Sequence, residues 1–202
     1  MDFPTAVANS KSARNALSAF KRLRLVPQRL PPANELDATE KNPLNQEEKA
    51  FKRMASTVLR LADAEWWANA PRMPLSHLLV GSLQGLSDHG YNIEILSSPF
   101  GEESKKGKLQ WCHNNLPEEF SEYHIRNDKE TLATPNSLLI DDREKVCRKF
   151  QEASGHTIVY DENWFLSLRG ALKNNNITTV YVDLDGVLVD TRRHIIEALE
   201  SL

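Results

Sequence analysis

The amino-acid sequence predicts an α/β fold with a doubly wound, mostly parallel sheet, and two observations carry this prediction. From residue 91 onward, short apolar segments rich in Val and Ile alternate with longer segments whose apolar residues have helical spacing. Three of the short segments run directly into polar or acidic side chains, as strands do when their carboxyl ends form a ligand site. This alternation is typical of parallel strands covered by helices on both faces.

The alternating region contains five predicted strands and four predicted helices. The strands are YNIEILSSP (91–99), EYHIRN (122–127), NSLLIDD (136–142), HTIVYD (156–161) and VYVDLDG (180–186). The helices cover residues 104–116, 143–155, 161–175 and, after the last strand, 191–202. Each helix follows a strand closely enough to return the chain for a parallel neighbour.

The first ninety residues predict a different organisation. Residues 1–45 are polar and rich in Pro, with a basic cluster, and we expect a flexible extension with a solvated charged face. The segment NQEEKAFKRMASTVLRLADAEWW, from Asn45, predicts one helix that ends near residues 69–71. After PRMP, residues 75–90 predict a second helix that Gly90 terminates.

Composition narrows the class of partner. The 202 residues are 40% hydrophobic and 26% charged, with a net charge of -3, which is typical of a globular protein and argues against nucleic acid or an acidic membrane as the partner. Cys112 and Cys147 are too few for a disulfide framework, and no long apolar run occurs. We therefore expect a cytoplasmic protein with a small-molecule partner and no membrane contact.

Polar side chains follow three of the predicted strands, where ligands gather in parallel sheets. They are Ser97 and Ser98, Asp141 and Asp142, and Asp183 and Asp185. Four carboxylates at one edge repel one another unless a cation lies among them, and oxygen ligands of this type suit Mg²⁺. The alternative, in which each acid caps the following helix, explains a single Asp better than two acidic pairs.

These segments resemble the motifs of a known family. DLDGVLVD (183–190), ILSSP (95–99) and LLIDD (138–142) are similar to the first, second and fourth motifs of the haloacid dehalogenase-like phosphatases. WWANAPRMP, GKLQW and RNDKETLATPNSLLIDDR are closer to the 5′(3′)-deoxyribonucleotidase-type branch. The resemblance covers about residues 60–190 and implies a Rossmann-like core with a small helical cap.

The motif order differs from that of the family, where the DxD strand comes first. Here it comes last, which indicates either a circular permutation or a second, truncated copy of the domain. No other DxDG occurs upstream, so permutation is the better explanation. It predicts that residues 180–182 lie between the ILSS and LLIDD strands, parallel to both. It also places the chain ends in the cap, with 46–72 and 191–202 as cap elements around a 73–190 core.

The resemblance implies a role for each motif residue. Asp183 would be the nucleophile that forms an aspartyl-phosphate. Asp185 would act as acid and base, with its backbone carbonyl on the metal. The phosphate would be bound by Ser97 and Ser98 together with Lys129.

Asp141 and Asp142 would anchor Mg²⁺. Lys105, Lys106 and Lys108 remain alternatives to Lys129 because they also lie near this edge.

The expected function is a magnesium-dependent phosphomonoester hydrolase, with a nucleoside monophosphate as one candidate substrate. A phosphotransferase or dehalogenase on the same fold is the first alternative, and an inactive binding protein or fragment is the second. Trp66 and Trp67 would either stack on a base or anchor the packing. The sequence leaves the oligomeric state open.

Overall fold

The computed structural model describes residues 55–120 and 122–200. Its centre is a five-stranded sheet in which every pairing is parallel. The strands are β1 (Asn92–Ser97), β2 (Glu122–Ile125), β3 (Ser137–Asp141), β4 (His156–Val159) and β5 (Thr179–Val182), in the spatial order β2-β1-β5-β3-β4. The predicted α/β class and parallel sheet are confirmed.

Helices flank the sheet. They are α1 (Ala64–Ala68), α2 (Ser76–Asp88), α3 (Glu102–Asn115), α4 (Glu144–Glu152), α5 (Trp164–Asn174) and α6 (Thr191–Glu200). A 3₁₀ helix, Lys129–Leu132, precedes β3 and was not predicted. At the end of α2, Gly90 adopts φ +87° and its N–H donates to the Ser87 carbonyl, which confirms the predicted glycine stop.

The DxD strand lies at the centre of the sheet although it follows the other four in sequence. Val180 is in register with Ile93 of β1 on one side and with Leu138 of β3 on the other. The predicted position of residues 180–182 between the ILSS and LLIDD strands is therefore confirmed. The evolutionary permutation that motivated it stays a hypothesis.

Alternate residues of each strand contribute to two separate hydrophobic cores, one on each face of the sheet. Ile93, Val180 and Leu138 point to the face where α2, α3 and α5 contribute Leu79, Leu83, Trp111, Cys112 and Leu168. Leu96, Leu139 and Tyr181 point to the opposite face, where Phe150 of α4 packs on them. Burial of each large aliphatic side chain contributes roughly 1.5–3 kcal/mol to folding, so both faces hold the sheet in place.

The predicted continuous helix that ends near residues 69–71 is wrong in its middle. Residues 55–61 are helical, residues 62–63 are not, and α1 begins anew at Ala64. The physical reason is Asp63, whose side chain accepts a hydrogen bond of 2.8 Å from the Trp66 N–H and so caps a new helix. The part of this prediction before residue 55 lies outside the described residues, as does the predicted 1–45 extension.

The chain divides into two compact units, residues 63–194 on the one hand and residues 1–62 with 195–202 on the other. The first unit contains the whole sheet. Of the second, the structure describes the helical stretch 55–61 and the end of α6. A cap built from both chain ends therefore stays a prediction. In the described ranges, no helix is both long and apolar enough to cross a membrane.

Candidate active site

The three central strands end in the polar residues that the motifs predicted. Because β1, β5 and β3 are parallel neighbours, their carboxyl ends meet at one edge of the sheet. Ser97 ends β1, Asp141 ends β3, and Asp183 directly follows β5. All three side chains are buried. The fold thus brings distant parts of the sequence into one site.

Lys129 lies between two of these carboxylates. Its Nζ donates a 2.7 Å hydrogen bond to Asp141 Oδ2 and lies 2.9 Å from Asp183 Oδ1. Only 1% of Lys129 is exposed, and an ammonium so buried requires anionic partners. The 3₁₀ helix that begins at Lys129 delivers the side chain to this position. Lys105 and Lys106, two of the alternatives, are exposed.

The side-chain carboxylate of Asp183 is buried in an unusual state. Among the residues that the structure describes, neither of its carboxylate oxygens has a hydrogen-bond partner, although Oδ1 is close to Lys129. The contact between Lys129 and Asp183 is therefore an ion pair whose geometry does not suit a hydrogen bond. Arg143 Nη2 adds a second ion pair, 3.7 Å from Oδ2. Buried carboxylate oxygens are rarely left in this state, so Asp183 is suited to binding a ligand.

Three carboxylates form a group that could hold a metal ion. Asp141, Asp142 and Asp183 each offer an oxygen, and these atoms lie within 4.8 Å of one another. Against three negative charges the site provides the two cations Lys129 and Arg143, which leaves one negative charge uncompensated. Desolvation, followed by repulsion from Asp183 and Asp141, raises the pKa of Asp142 to about 6. The group is therefore suited to a cation.

Gly186 provides the space for Asp142. It adopts φ +77°, and a Cβ atom at this position would lie 2.3 Å from Asp142 Oδ2. Only glycine satisfies both conditions, because other residues avoid this conformation and would collide with the carboxylate. The turn that contains Gly186 is closed by its N–H, which donates to the Val189 carbonyl at 2.9 Å. This fit supports a metal ion bound by Asp142 and its neighbours.

Asp185 points away from this acidic group. Its Oδ2 lies 2.5 Å from Lys108 Nζ, and its Oδ1 accepts a 2.6 Å hydrogen bond from the Thr191 hydroxyl. Its carboxylate is not one of the three that form the metal-binding group. The predicted contact of its backbone carbonyl with the metal stays a prediction.

Lys108, predicted only as an alternative to Lys129, contacts several of the predicted site residues. Its Nζ donates to Ser97 Oγ at 3.2 Å and to the Ser98 carbonyl at 2.5 Å, besides its pair with Asp185. Only 3% of the residue is exposed. A signal was present in the sequence, because Lys108 shares the buried stripe of α3 with Ser104, Gly107, Trp111 and Cys112. A lysine on the buried face of a helix needs a polar partner.

Trp67 lies beside the candidate site, and Trp66 packs against Trp67 with ring centroids 5.2 Å apart. Trp67 is buried, and Lys108 Nζ lies 5.2 Å from the centroid of its ring. Gly107 allows this approach, since a Cβ there would lie 2.3 Å from the Ala64 carbonyl oxygen of α1. Trp66 stacks on His194, with ring centroids 4.1 Å apart. Trp67 is thus a packing residue and not a surface for stacking on a base.

The segment after α1 binds the turn after β5. The Met73 N–H donates to the Leu188 carbonyl at 2.8 Å, and the Asp190 N–H donates to the Pro71 carbonyl at 2.8 Å. These bonds hold the WWANAPRMP segment beside the DxD motif. Comparison of the chain with protein-family models, with curated proteins and with solved structures found no match. The resemblance to the haloacid dehalogenase-like phosphatases therefore rests on the sequence motifs and stays a prediction.

Proposed function

We propose that this protein is a magnesium-dependent phosphomonoester hydrolase that uses Asp183 as its nucleophile. The observation that carries the proposal is the state of Asp183, a buried carboxylate with two ion-pair partners and, among the residues that the structure describes, no hydrogen bond. Its Oδ2, whose ion-pair partner Arg143 is 3.7 Å away, would be the oxygen that attacks phosphorus. A purely structural aspartate would be expected to have its hydrogen-bonding capacity satisfied.

The metal would be held by Asp141, Asp142 and Asp183, with the backbone carbonyl of Asp185 as a proposed fourth ligand. An all-oxygen set of this kind suits Mg²⁺, which neutralises phosphate charge and orients the phosphoryl group. Lys129 holds Asp141 and Asp183 in place from the other side.

The residues of the chain supply the remaining steps. Lys108 and Ser97 would bind phosphoryl oxygens, and Ser98 contributes its backbone to the same pocket. Asp183 would form a bond to phosphorus while the bond from phosphorus to the leaving oxygen breaks, and Asp185 would give its proton to that oxygen. Asp185 would then take a proton from water, which attacks the aspartyl-phosphate, releases inorganic phosphate and restores Asp183.

The pair between Lys108 and Asp185 suggests how binding prepares the acid. In the structure Lys108 engages Asp185 and the backbone of Ser98. Phosphate oxygens would compete for the same ammonium group. Asp185 would thereby be released to take up a proton from solvent and then face the leaving oxygen, so that its role as acid depends on bound substrate.

For the substrate class we propose nucleoside monophosphates. The support is Trp66, which is partly exposed, stacks on His194 and lies against Trp67, the residue that packs on Lys108. Flat aromatic surfaces near a phosphate site are suited to a nucleobase. Phosphotransfer to an acceptor other than water remains the alternative chemistry, and it would be detected as a shortfall of inorganic phosphate relative to nucleoside.

The direct test is to trap the covalent intermediate. The purified chain is incubated with Mg²⁺ and a nucleoside monophosphate, and the mixture is treated with borohydride, which reduces an acyl phosphate to an alcohol. We expect peptide mass spectrometry to find homoserine at position 183, only with substrate present and not in EDTA. Asp88, an exposed aspartate, is the internal control and stays unmodified. Phosphate release without any label at Asp183 would contradict the mechanism.

A further inference from the structure

A second cluster of metal-ligating side chains lies on the sheet, away from its carboxyl edge. Glu94 of β1 and Glu122 of β2 are directly opposite each other in the parallel ladder. His124 lies two residues beyond Glu122 and therefore projects from the same face. This is the face of Leu96 and Tyr181, opposite to the main core.

The three side chains converge on a common point. His124 Nε2 lies 2.8 Å from Glu94 Oε2 and 3.4 Å from Glu122 Oε2. One donor atom from each of the three residues lies within 4.8 Å of the other two. The Glu94 and His124 side chains are largely buried, with 14% and 22% of their surfaces exposed, whereas Glu122 is 65% exposed. The cluster is thus open to solvent from one side.

Two carboxylates that face each other across a ladder repel, and a cation between them relieves this repulsion. Tyr181, on the neighbouring strand β5, adds to the same environment. Its ring lies 6.0 Å from that of His124. The cluster is therefore a concentrated negative site built on paired strands.

We propose that Glu94, Glu122 and His124 bind a transition-metal dication of the zinc class, at a site separate from the Asp141, Asp142 and Asp183 group. One imidazole nitrogen with two carboxylate oxygens is a donor set that Zn²⁺ and Co²⁺ accept, whereas Mg²⁺ prefers oxygen alone. The β-ladder holds all three donors before the ion arrives, so little ordering is required on binding. A protonated His124 that merely pairs with both glutamates is the competing explanation.

The test uses Co²⁺ as the probe, because its visible absorption reports nitrogen and oxygen coordination directly. The untagged chain is kept in millimolar Mg²⁺, which occupies the all-oxygen site, and Co²⁺ is titrated in. We expect one equivalent to bind with a change in the visible spectrum. His124→Ala should weaken this binding by more than the ~10–100-fold that loss of an outer partner of a metal ligand costs.

Two further variants keep the test decisive. Glu122→Gln changes an exposed side chain and should leave the fold intact while it weakens Co²⁺ binding at least ~10-fold. His77→Ala removes an exposed histidine of α2 and should bind Co²⁺ as the wild type does. Absence of Co²⁺ binding in the wild type, or unchanged affinity in Glu122→Gln, would overturn the proposal even if His124→Ala failed to fold.

Discussion

The candidate active site has two halves, each built around one buried lysine, and they differ in how the lysine is balanced. In the acidic half, Lys129 contacts the carboxylates of Asp141 and Asp183. In the hydroxyl half, Lys108 contacts a single carboxylate, that of Asp185, and two neutral oxygens of Ser97 and Ser98. Lys129 is thus needed to keep two acids together, whereas Lys108 can exchange its one carboxylate partner for an incoming anion. A buried lysine therefore stabilises a pair of carboxylates in the acidic half, and we expect it to bind phosphate in the hydroxyl half.

The largest expected effect is on the acidic half, at its nucleophile. Asp183→Asn replaces the attacking carboxylate with an amide, which is a poor nucleophile, so kcat for phosphate release should fall at least ~10³-fold, on the order of 4 kcal/mol in the barrier. Steady-state phosphate release measures this. Asp88→Asn, a change of an exposed carboxylate, should keep wild-type turnover. Near wild-type turnover in Asp183→Asn would refute the assignment of the nucleophile.

The next effect concerns stability and separates the two lysines. Lys129→Met leaves two buried carboxylates without their ammonium, and removal of one partner of a buried ion pair costs about 3–5 kcal/mol. We expect the free energy of unfolding in urea to fall by this amount and turnover to be lost. If millimolar Mg²⁺ restores part of the stability, the metal is replacing the charge of Lys129. If Lys129→Met leaves the free energy of unfolding unchanged, Lys129 is not needed to keep the two acids together.

Lys108→Met should be milder for folding and more specific for binding. Only one partly exposed carboxylate loses its cation, because 35% of the Asp185 side chain is exposed and Thr191 still donates to it. We expect KM for a phosphomonoester to rise ~10-fold or more, since a charge-assisted hydrogen bond to phosphate is lost. Lys105→Met, an exposed change in the same helix, is the matched control. An unchanged KM would remove Lys108 from the phosphate site.

A smaller effect is expected at the turn that supports the acidic half. Gly186→Ala forces a side chain into φ +77° and against Asp142, so we expect a loss of roughly 1–2 kcal/mol in stability and a higher Mg²⁺ requirement. Gly85→Ala is the control, because a Cβ there meets nothing within 4 Å and an α-helical position gains up to ~1 kcal/mol from the change. Equal effects at both glycines would show that Asp142 does not depend on this space.

The smallest effect is on the two thiols, one beside each half. Cys112 lies in the helix of Lys108, and burial raises the pKa of its thiol to about 12. Cys147 donates from Sγ to the Asp141 carbonyl, and burial raises the pKa of its thiol to about 11. Both groups therefore stay protonated at pH 8, and a protonated thiol is not a nucleophile. We expect no reaction with Ellman's reagent in the folded protein and two equivalents in denaturant. Rapid labelling of the native protein would show that one half opens in solution.

The acidic half was easier to predict than the hydroxyl half. Asp141 and Asp183 follow apolar strands, and Lys129 precedes the acid-pair strand, so local sequence placed all three at one edge. Lys108 lies within a helix, and its partner Asp185 is 77 residues away, so local sequence could not predict their pairing, although the buried stripe of α3 indicates that Lys108 needs a polar partner.

Other features depend on tertiary contacts that no local pattern contains. The close approach of α3 to α1 depends on Gly107 meeting the backbone of Ala64, which are far apart in the chain. The break at residues 62–63 needed only the recognition of Asp63 as a cap, because a capping aspartate competes with helical continuity.

The central position of β5 has a consequence for synthesis on the ribosome. The strand pairs with β1 on one side and β3 on the other, and within the described sheet it alone joins the β2-β1 half to the β3-β4 half. Until residues 179–182 emerge from the exit tunnel, each half has an unpaired strand edge. Closure of the sheet must therefore be a late event, delayed by loop closure over distant segments, and the nucleophile is placed in the same step that completes the fold.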